Sequence, residues 1–399
     1  MTSQQVASFD DLSLGELRRR RSQKWAAFPS DVLPAFVAEM DFAVAPEIKA
    51  ELLSAVERDD CGYAWPVDLA EAFAEFTFAR YGCSVEPPRV IVVPDVMSGI
   101  ADVLRALTTP GDRVVINPPI YGPFFNTIRD VGRRAIAVPL VRTRDGKWDI
   151  DLDGVRDAFA SGARAYLLCN PHNPVGRVFS RDQLLAVAEL AVRYDALVIA
   201  DEIHAPLTLP GATHIPFVSV SEATGARAVT VTSASKGWNL SGLKCAVMVA
   251  GSHATREQLS ALPCDLRDHI GHLGAIATIA AFRRGRSWLD ALIAHLDRNR
   301  FLLGELLASS VPGVRYAAPE AGYLAWLDCS ALGIGPDPAA TFLARGRVAL
   351  SHGPTFGREG AYFARLNMGT SRALLGEIVA RMARSLARGE STVAVAAAP

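Results

Sequence analysis

The sequence is poor in lysine, in cysteine pairs, in surplus charge of either sign and in long apolar runs. Of its 41 Lys and Arg residues only five are lysines: Lys24, Lys49, Lys147, Lys236 and Lys244. Alongside many alanines, this bias is that of a GC-rich coding sequence, so each lysine that persists is a candidate for chemistry. The formal net charge is −1, which predicts neither a nucleic-acid-binding face nor an acidic tail. The six cysteines, at 61, 83, 169, 245, 264 and 329, contain no CxxC pair and no repeated spacing. Reduced thiols are expected rather than a disulfide framework. No apolar run approaches the length of a membrane span. The opening MTSQQVASFDDLSLGELRRRR puts acids ahead of its arginines and has no apolar stretch, so no leader peptide is expected. These absences predict a cytoplasmic protein without a membrane or nucleic-acid partner.

What is present is apolar material, 50% of 399 residues, enough for a sizeable core and two or more domains. Short apolar runs at Arg89–Pro94, Val114–Asn117, Ala165–Asn170, Ala196–Asp201, Ala228–Ser233 and Cys245–Gly251 are continuous rather than alternating. Parallel strands buried on both faces read this way. Between them lie amphipathic helix patterns such as Arg181–Tyr194, opened by a Ser180/Gln183 capping box. The fold class expected is α/β with a mostly parallel central sheet flanked by helices. The last third differs. A helix at Ser287–Ser309, strands at Gly313–Glu320, Gly322–Cys329 and Tyr362–Asn367, and a final helix from Arg372 to about Arg388 predict a smaller α+β unit with an antiparallel sheet. The division expected is an N-terminal arm contributing to the small domain over 1–48, a large domain over 49–285, the small domain over 286–388 and a frayed tail over 389–399.

Parallel sheets bind ligands at the carboxyl ends of their strands, and the polar residues of this chain gather at such ends. Lys236 leaves the strand ending at Ser233 inside the turn Ser233–Asn239. It is either an exposed loop lysine or a desolvated amine beside a second cation, poised to act as a nucleophile. Lys244, eight residues on, is the candidate cation and also, with Ser233, a candidate phosphate ligand. Asp201 ends another apolar strand in Asp201-Glu202-Ile203-His204. A buried carboxylate there needs a cation, such as the pyridine nitrogen of pyridoxal phosphate (PLP), which an ionised Asp keeps protonated. A metal held by Asp201 and His204, or a purely structural turn, are the competing readings. Asn173, in the stiff loop Asn170–Gly176, can donate to a ring oxygen or simply close a turn. Val96 and Met97 open a helix after Asp95, where free amides suit phosphate. Tyr121 can stack on a flat ring or pack in a core. Arg365, in an apolar strand, suits a substrate carboxylate or a buried ion pair.

Taken together, NPHNPVG at 170–176, DEIH at 201–204, SASKGWNLSGLK at 233–244 and ARLNMG at 364–369 resemble the fold-type I PLP enzymes of the class I/II aminotransferase superfamily. Val37–Phe42, Pro46–Ile48, Cys61–Tyr63 and His214–Phe217 make the chain most similar to the MalY/PatB branch, the cystathionine β-lyase-like C–S lyases. The resemblance runs from about Lys24 to Arg381. It implies Lys236 as the lysine that binds PLP as a Schiff base and carries protons, with Asp201 paired to the pyridine nitrogen. Asn173 and His204 would lie beside the ring oxygen, and Tyr121 on the ring. The Val96 and Met97 amides, Ser233 and Lys244 would hold the phosphate. Tyr63 would reach the phosphate of a second subunit, making a homodimer with shared active sites. Arg365, with Asn173 and Tyr121, would bind the small-molecule substrate, an amino acid with sulfur on its β-carbon. The implied reaction is β-elimination of cystathionine or another cysteine conjugate to thiol, pyruvate and ammonia. The alternatives are an aminotransferase, which uses the same groups, and a non-catalytic regulatory protein. Trp238 and Pro206 depart from the branch's pattern and point to the substrate pocket as the place where this chain differs.

Overall fold

The computed structural model describes residues 9–143, 146–262 and 268–387; Cys264 and the tail 389–399 fall outside them. The strands Val90–Val93 (β1), Arg113–Ile116 (β2), Arg134–Ala137 (β3), Ala165–Cys169 (β4), Leu197–Asp201 (β5), Ala228–Thr232 (β6) and Ala246–Ala250 (β7) form one sheet in the order β1-β7-β6-β5-β4-β2-β3. The central strands β4, β5, β6 and β7 are buried along their whole length, as the continuous apolar runs predict.

The order carries one correction. β7 is antiparallel to both β1 and β6, whereas its apolar run reads like those of its parallel neighbours. Burial on both faces fixes composition and says nothing of direction. Direction is set by the connection: residues 233–245 hold only the short helical turn Ala234–Gly237 and a 3-10 turn, so the chain returns from the end at which it left. That reversal puts Lys244, just before β7, at the same sheet end as Ser233, just after β6. β3, a short edge strand with exposed ends and a single large apolar residue, is an element that the apolar-run criterion does not pick out.

Helices pack on the sheet: Leu69–Tyr81 (α1), Val96–Leu107 (α2) and Arg181–Arg193 (α3). α3 starts as predicted, with the Gln183 amide donating to Ser180 Oγ at 3.3 Å and the Ser180 amide donating to Gln183 Oε1 at 2.8 Å. Arg286–Ser310 (α4) leads to a second, antiparallel sheet made of Arg315–Tyr316 (β8), Leu324–Asp328 (β9), Ser351–His352 (β10) and Phe363–Asn367 (β11), in the order β8-β9-β11-β10. Arg372–Ala387 (α5) closes the described chain. β8 is shorter than the predicted Gly313–Glu320, pairing only through Arg315 and Tyr316 with Asp328 and Leu327.

An N-terminal segment joins the two sheets. Leu33–Pro34 pairs in parallel with Val348–Ala349. The Asn367 amide then donates to the Val37 and Glu39 carbonyls at 2.7 and 2.6 Å. From the other side, Asn239 brackets Met40, accepting from its amide at 2.8 Å and donating to its carbonyl at 2.9 Å. Residues 36–41 therefore form a strap anchored both by β11 and by the turn that carries Lys236. No helix among the described residues is long and apolar enough to cross a membrane.

Candidate active site

Lys236 is half-buried, and its Nζ donates to the Ala38 carbonyl at 2.9 Å and to Ser241 Oγ at 3.3 Å. Burial, and then the Arg365 guanidinium, push its amine down to about 8. The second cation foreseen in the sequence is thus chiefly Arg365. Lys244 contributes least of the causes, since its Nζ is paired with Asp95 Oδ2 at 3.0 Å. The pair follows from topology: β7 begins opposite the end of β1, with Ala246 facing Val93.

Asp201, at the end of β5, is buried, and one carboxylate oxygen accepts from the Ile203 amide at 3.0 Å. Burial pushes its carboxyl up to about 7, with the neighbouring Glu202 charge adding and Lys236 opposing. His204 is buried beside it, and its Nδ1 has no hydrogen-bond partner. Burial drives that imidazole down to about 3, so it stays neutral. Its ring stands edge-on to Tyr323 at 6.4 Å.

Arg365 in β11 is buried. Its Nη1 donates to Asn173 Oδ1 at 3.0 Å, and its Nη2 to the Phe36 carbonyl at 2.9 Å and Ser351 Oγ at 3.0 Å. The guanidinium lies 4.9 Å from the Phe356 ring centroid. The ion pairs of the described residues include none to Arg365, and its Nε is buried without a partner. Burial pulls it down to about 10. A buried cation whose neighbours are carbonyl, amide and hydroxyl oxygens is short of one negative charge.

Around the phosphate-binding candidates, Asp95 caps α2 by accepting from the Ser98 amide at 2.8 Å. Val96 and Met97 are the first two helical residues, and their amides have no carbonyl one turn back to bond. Ser233 differs from expectation: its hydroxyl hydrogen goes to the Cys245 carbonyl at 2.6 Å, and its oxygen accepts from the Ser235 amide at 3.0 Å. Ser235 Oγ, 2.8 Å from Ser233 Oγ, is a second hydroxyl in this turn. Tyr121 is half-buried and edge-on to Phe124 at 5.7 Å, with burial raising its phenol. Tyr63 is 85% exposed, and this chain alone does not bring it to the others.

Trp238 and Pro206 are corrections. Trp238 is fully buried, donates from Nε1 to the Gly285 carbonyl at 2.9 Å, and packs on Phe76 and Phe282 at 5.5 and 5.8 Å. Pro206 is buried against Gly237, where a Cβ would come within 3.1 Å of its own Cβ. Both belong to the core behind the lysine turn. Sequence reasoning missed Tyr323, whose hydroxyl donates to the Ala38 carbonyl at 3.0 Å, and Ser351, which donates to the Phe36 carbonyl at 2.5 Å. A tyrosine beside a glycine at the head of an apolar strand was the one available signal for Tyr323.

The residues fit PLP on three observations: an amine made nucleophilic by burial, a carboxyl that needs a cation, and a neutral imidazole with a free nitrogen. A lysine, an acid and unpaired amides converging on the carboxyl ends of a parallel sheet define an α/β enzyme of the PLP-dependent class. The chain belongs to the class I and II aminotransferase family, whose model matches residues 39–382. It is 38% identical to cystathionine beta-lyase of Corynebacterium glutamicum, over 94% of this chain and 99% of that one. It is 34% identical to cystathionine beta-lyase PatB of Bacillus subtilis, over 90% and 93%. Among solved structures it resembles cystalysin of Treponema denticola, which contains a pyridoxal 5′-phosphate cofactor, with a TM-score of 0.88 and 25% identity over 96% of this chain and 100% of that one.

Proposed function

We propose that this chain is a PLP-dependent carbon–sulfur β-lyase that splits cystathionine or another cysteine S-conjugate into a thiol, pyruvate and ammonia. The observation that carries the reading is Arg365, buried without an anionic partner and reaching Asn173. It supplies a place for the substrate carboxylate, close enough to Lys236 to lower that amine. When bound, PLP withdraws the electron pair left on the substrate's α-carbon.

The chain's own groups do the rest. Asp201 would hold a proton on the pyridine nitrogen, and the neutral His204 and Asn173 would flank the ring oxygen. Tyr121 would cover the ring, while the Val96 and Met97 amides, the Ser233 turn and Lys244 would receive the phosphate. Arg365 fixes the carboxylate and with it the orientation of the Cβ–S bond. Lys236 takes the α-proton, and the sulfur leaves Cβ as a thiolate. Water then completes the release of pyruvate and ammonia. A thiol of cysteine type has a pKa near 8.5 and is a competent leaving group.

We further propose a cytoplasmic homodimer in which Tyr63 of each subunit completes the other's phosphate site, with the chain divided at about residues 48 and 285 into arm, large domain and small domain. Support for the dimer comes from exposed apolar side chains on either side of Tyr63 in the sequence: Leu53, Val56, Val67 and Phe78 are all more than half exposed, and exposed apolar surface is what an interface covers. The reading is tested on Lys236→Ala, which should purify without the visible absorbance of the lysine-bound cofactor and release no thiol. An unchanged spectrum and rate would overturn it.

A further inference from the structure

The carbonyls of the strap from Phe36 to Met40 each accept a hydrogen bond from a side chain. Asn367 serves Val37 and Glu39, and Lys24 Nζ adds a bond to Glu39 at 3.1 Å. Asn239 serves Met40, and Arg20 Nη1 adds a bond at 3.3 Å. None of these donors is assigned to the cofactor or the substrate.

The other two carbonyls differ. The Ala38 oxygen accepts from Lys236 Nζ at 2.9 Å and from the Tyr323 hydroxyl at 3.0 Å. The Phe36 oxygen accepts from Arg365 Nη2 at 2.9 Å and from the Ser351 hydroxyl at 2.5 Å. A carbonyl oxygen has two lone pairs, and here each divides them between one cation of the site and one neutral hydroxyl. Ser351 Oγ also accepts from Arg365 Nη2 at 3.0 Å.

The hydroxyls are carried by rigid parts of the small sheet. Tyr323, just before β9, is fully buried. Its own carbonyl accepts from the Met368 amide at 2.8 Å, and a Cβ on Gly369 would lie 3.2 Å from its ring. Ser351, in β10, is the ladder partner of Arg365 in β11. The cations have to change partners. Lys236 leaves Ala38 when its nitrogen joins the cofactor and is freed again by the substrate, while Arg365 turns its remaining N–H groups to a carboxylate. A buried carbonyl stripped of its only donor is costly and shifts to find another. One that keeps a hydroxyl stays where it is.

We propose that Tyr323 and Ser351 are positioning residues, which hold the Ala38 and Phe36 carbonyls as fixed points for the Lys236 amine and the Arg365 guanidinium. The inference rests on the reading that these two cations serve the cofactor and the substrate carboxylate. Tyr323 keeps the Ala38 oxygen in place to receive the displaced Nζ, which takes the α-proton from there. Ser351 keeps the guanidinium fork aimed at the carboxylate.

The roles separate in two readouts, neither of which needs turnover. One is the rate at which the full chain, stripped of cofactor, captures PLP. The other is the dissociation constant of L-alanine, which has no leaving group on Cβ, read on the holoenzyme from the change in visible absorbance. Tyr323→Phe should slow capture about tenfold and leave the alanine constant within about twofold. Ser351→Ala should do the reverse. Tyr323→p-aminophenylalanine and Ser351→Thr, which keep a donor, should restore most of each loss. A loosened strap would move both readouts together, so any pattern other than the one stated overturns the role of that residue. A crystal structure of the wild-type holoenzyme is independent of how the variants fold. Both hydroxyls should remain on their carbonyls after Lys236 Nζ has left Ala38, and a Tyr323 hydroxyl turned elsewhere would overturn its role. Failure of the lyase reading would show separately, as no pyruvate from the wild-type enzyme.

Discussion

Lys236 illustrates how one residue acquires a reactivity its type does not have. Burial and the Arg365 guanidinium lower its amine from 10.5 to about 8. The charged form is the one disfavoured, so the free base is present at lower pH. The rate at which the cofactor-free protein captures PLP should therefore rise with pH and level off above about 8, measured by the growth of visible absorbance after mixing. A rate still climbing tenfold per pH unit above 9 would mean an unperturbed lysine. Asp201 and Arg365 should fail differently. Asp201→Ala removes a group that acts on charge developing during reaction, so kcat should fall about a hundredfold while PLP remains bound. Arg365→Leu removes carboxylate binding, worth about 1.5–3 kcal/mol per charged hydrogen bond. Its loss should raise KM and, because the Cβ–S bond is no longer oriented, lower kcat as well. Near-normal steady-state constants in either variant would refute the role assigned to it.

At the scale of elements, the strap 36–41 is the feature that sequence reading did not supply. Its contacts come from side chains roughly 200 and 330 positions away: Asn239 on Met40, and Asn367 on Val37 and Glu39. No local periodicity carries such information. What was legible is what local physics determines. Apolar runs located β1, β2, β4, β5, β6 and β7, the capping box started α3 at its observed residue, and the motif residues fell at strand ends because ladders stop there. What was not legible depended on connection and packing: the direction of β7, the pairing of Lys244 with Asp95, and the burial of Trp238 against Gly285 and Phe282. Trp238 shows the limit well, since an indole next to a reactive lysine reads as pocket until its N–H partner is known. If the strap is held as described, Asn239→Ala should cost about 1–2 kcal/mol and speed amide hydrogen exchange over residues 36–41 more than elsewhere. Uniform exchange across the chain would contradict that.

The whole molecule brings two sheets and one strap around a single lysine, and the account adds a second subunit. Tyr63 is 85% exposed, so its proposed part in a second subunit's site can be tested only between chains. Co-expressed Tyr63→Ala and Lys236→Ala chains, each inactive alone, should regain activity as mixed dimers, because one site in two would be intact. Mixed dimers without activity would refute sharing. The central claim is the fate of the substrate. On the proposed roles, lyase and aminotransferase begin with the same α-proton transfer to Lys236 and part when the thiolate leaves or stays. The most direct measurement is to incubate the enzyme with cystathionine, or an S-alkyl cysteine, as sole substrate and to follow thiol and pyruvate together. The account predicts that the two appear continuously in equal amounts, with ammonia and with no oxo acid added. Turnover that begins only when an oxo acid is supplied, with the carbon–sulfur bond intact in the product, would contradict it.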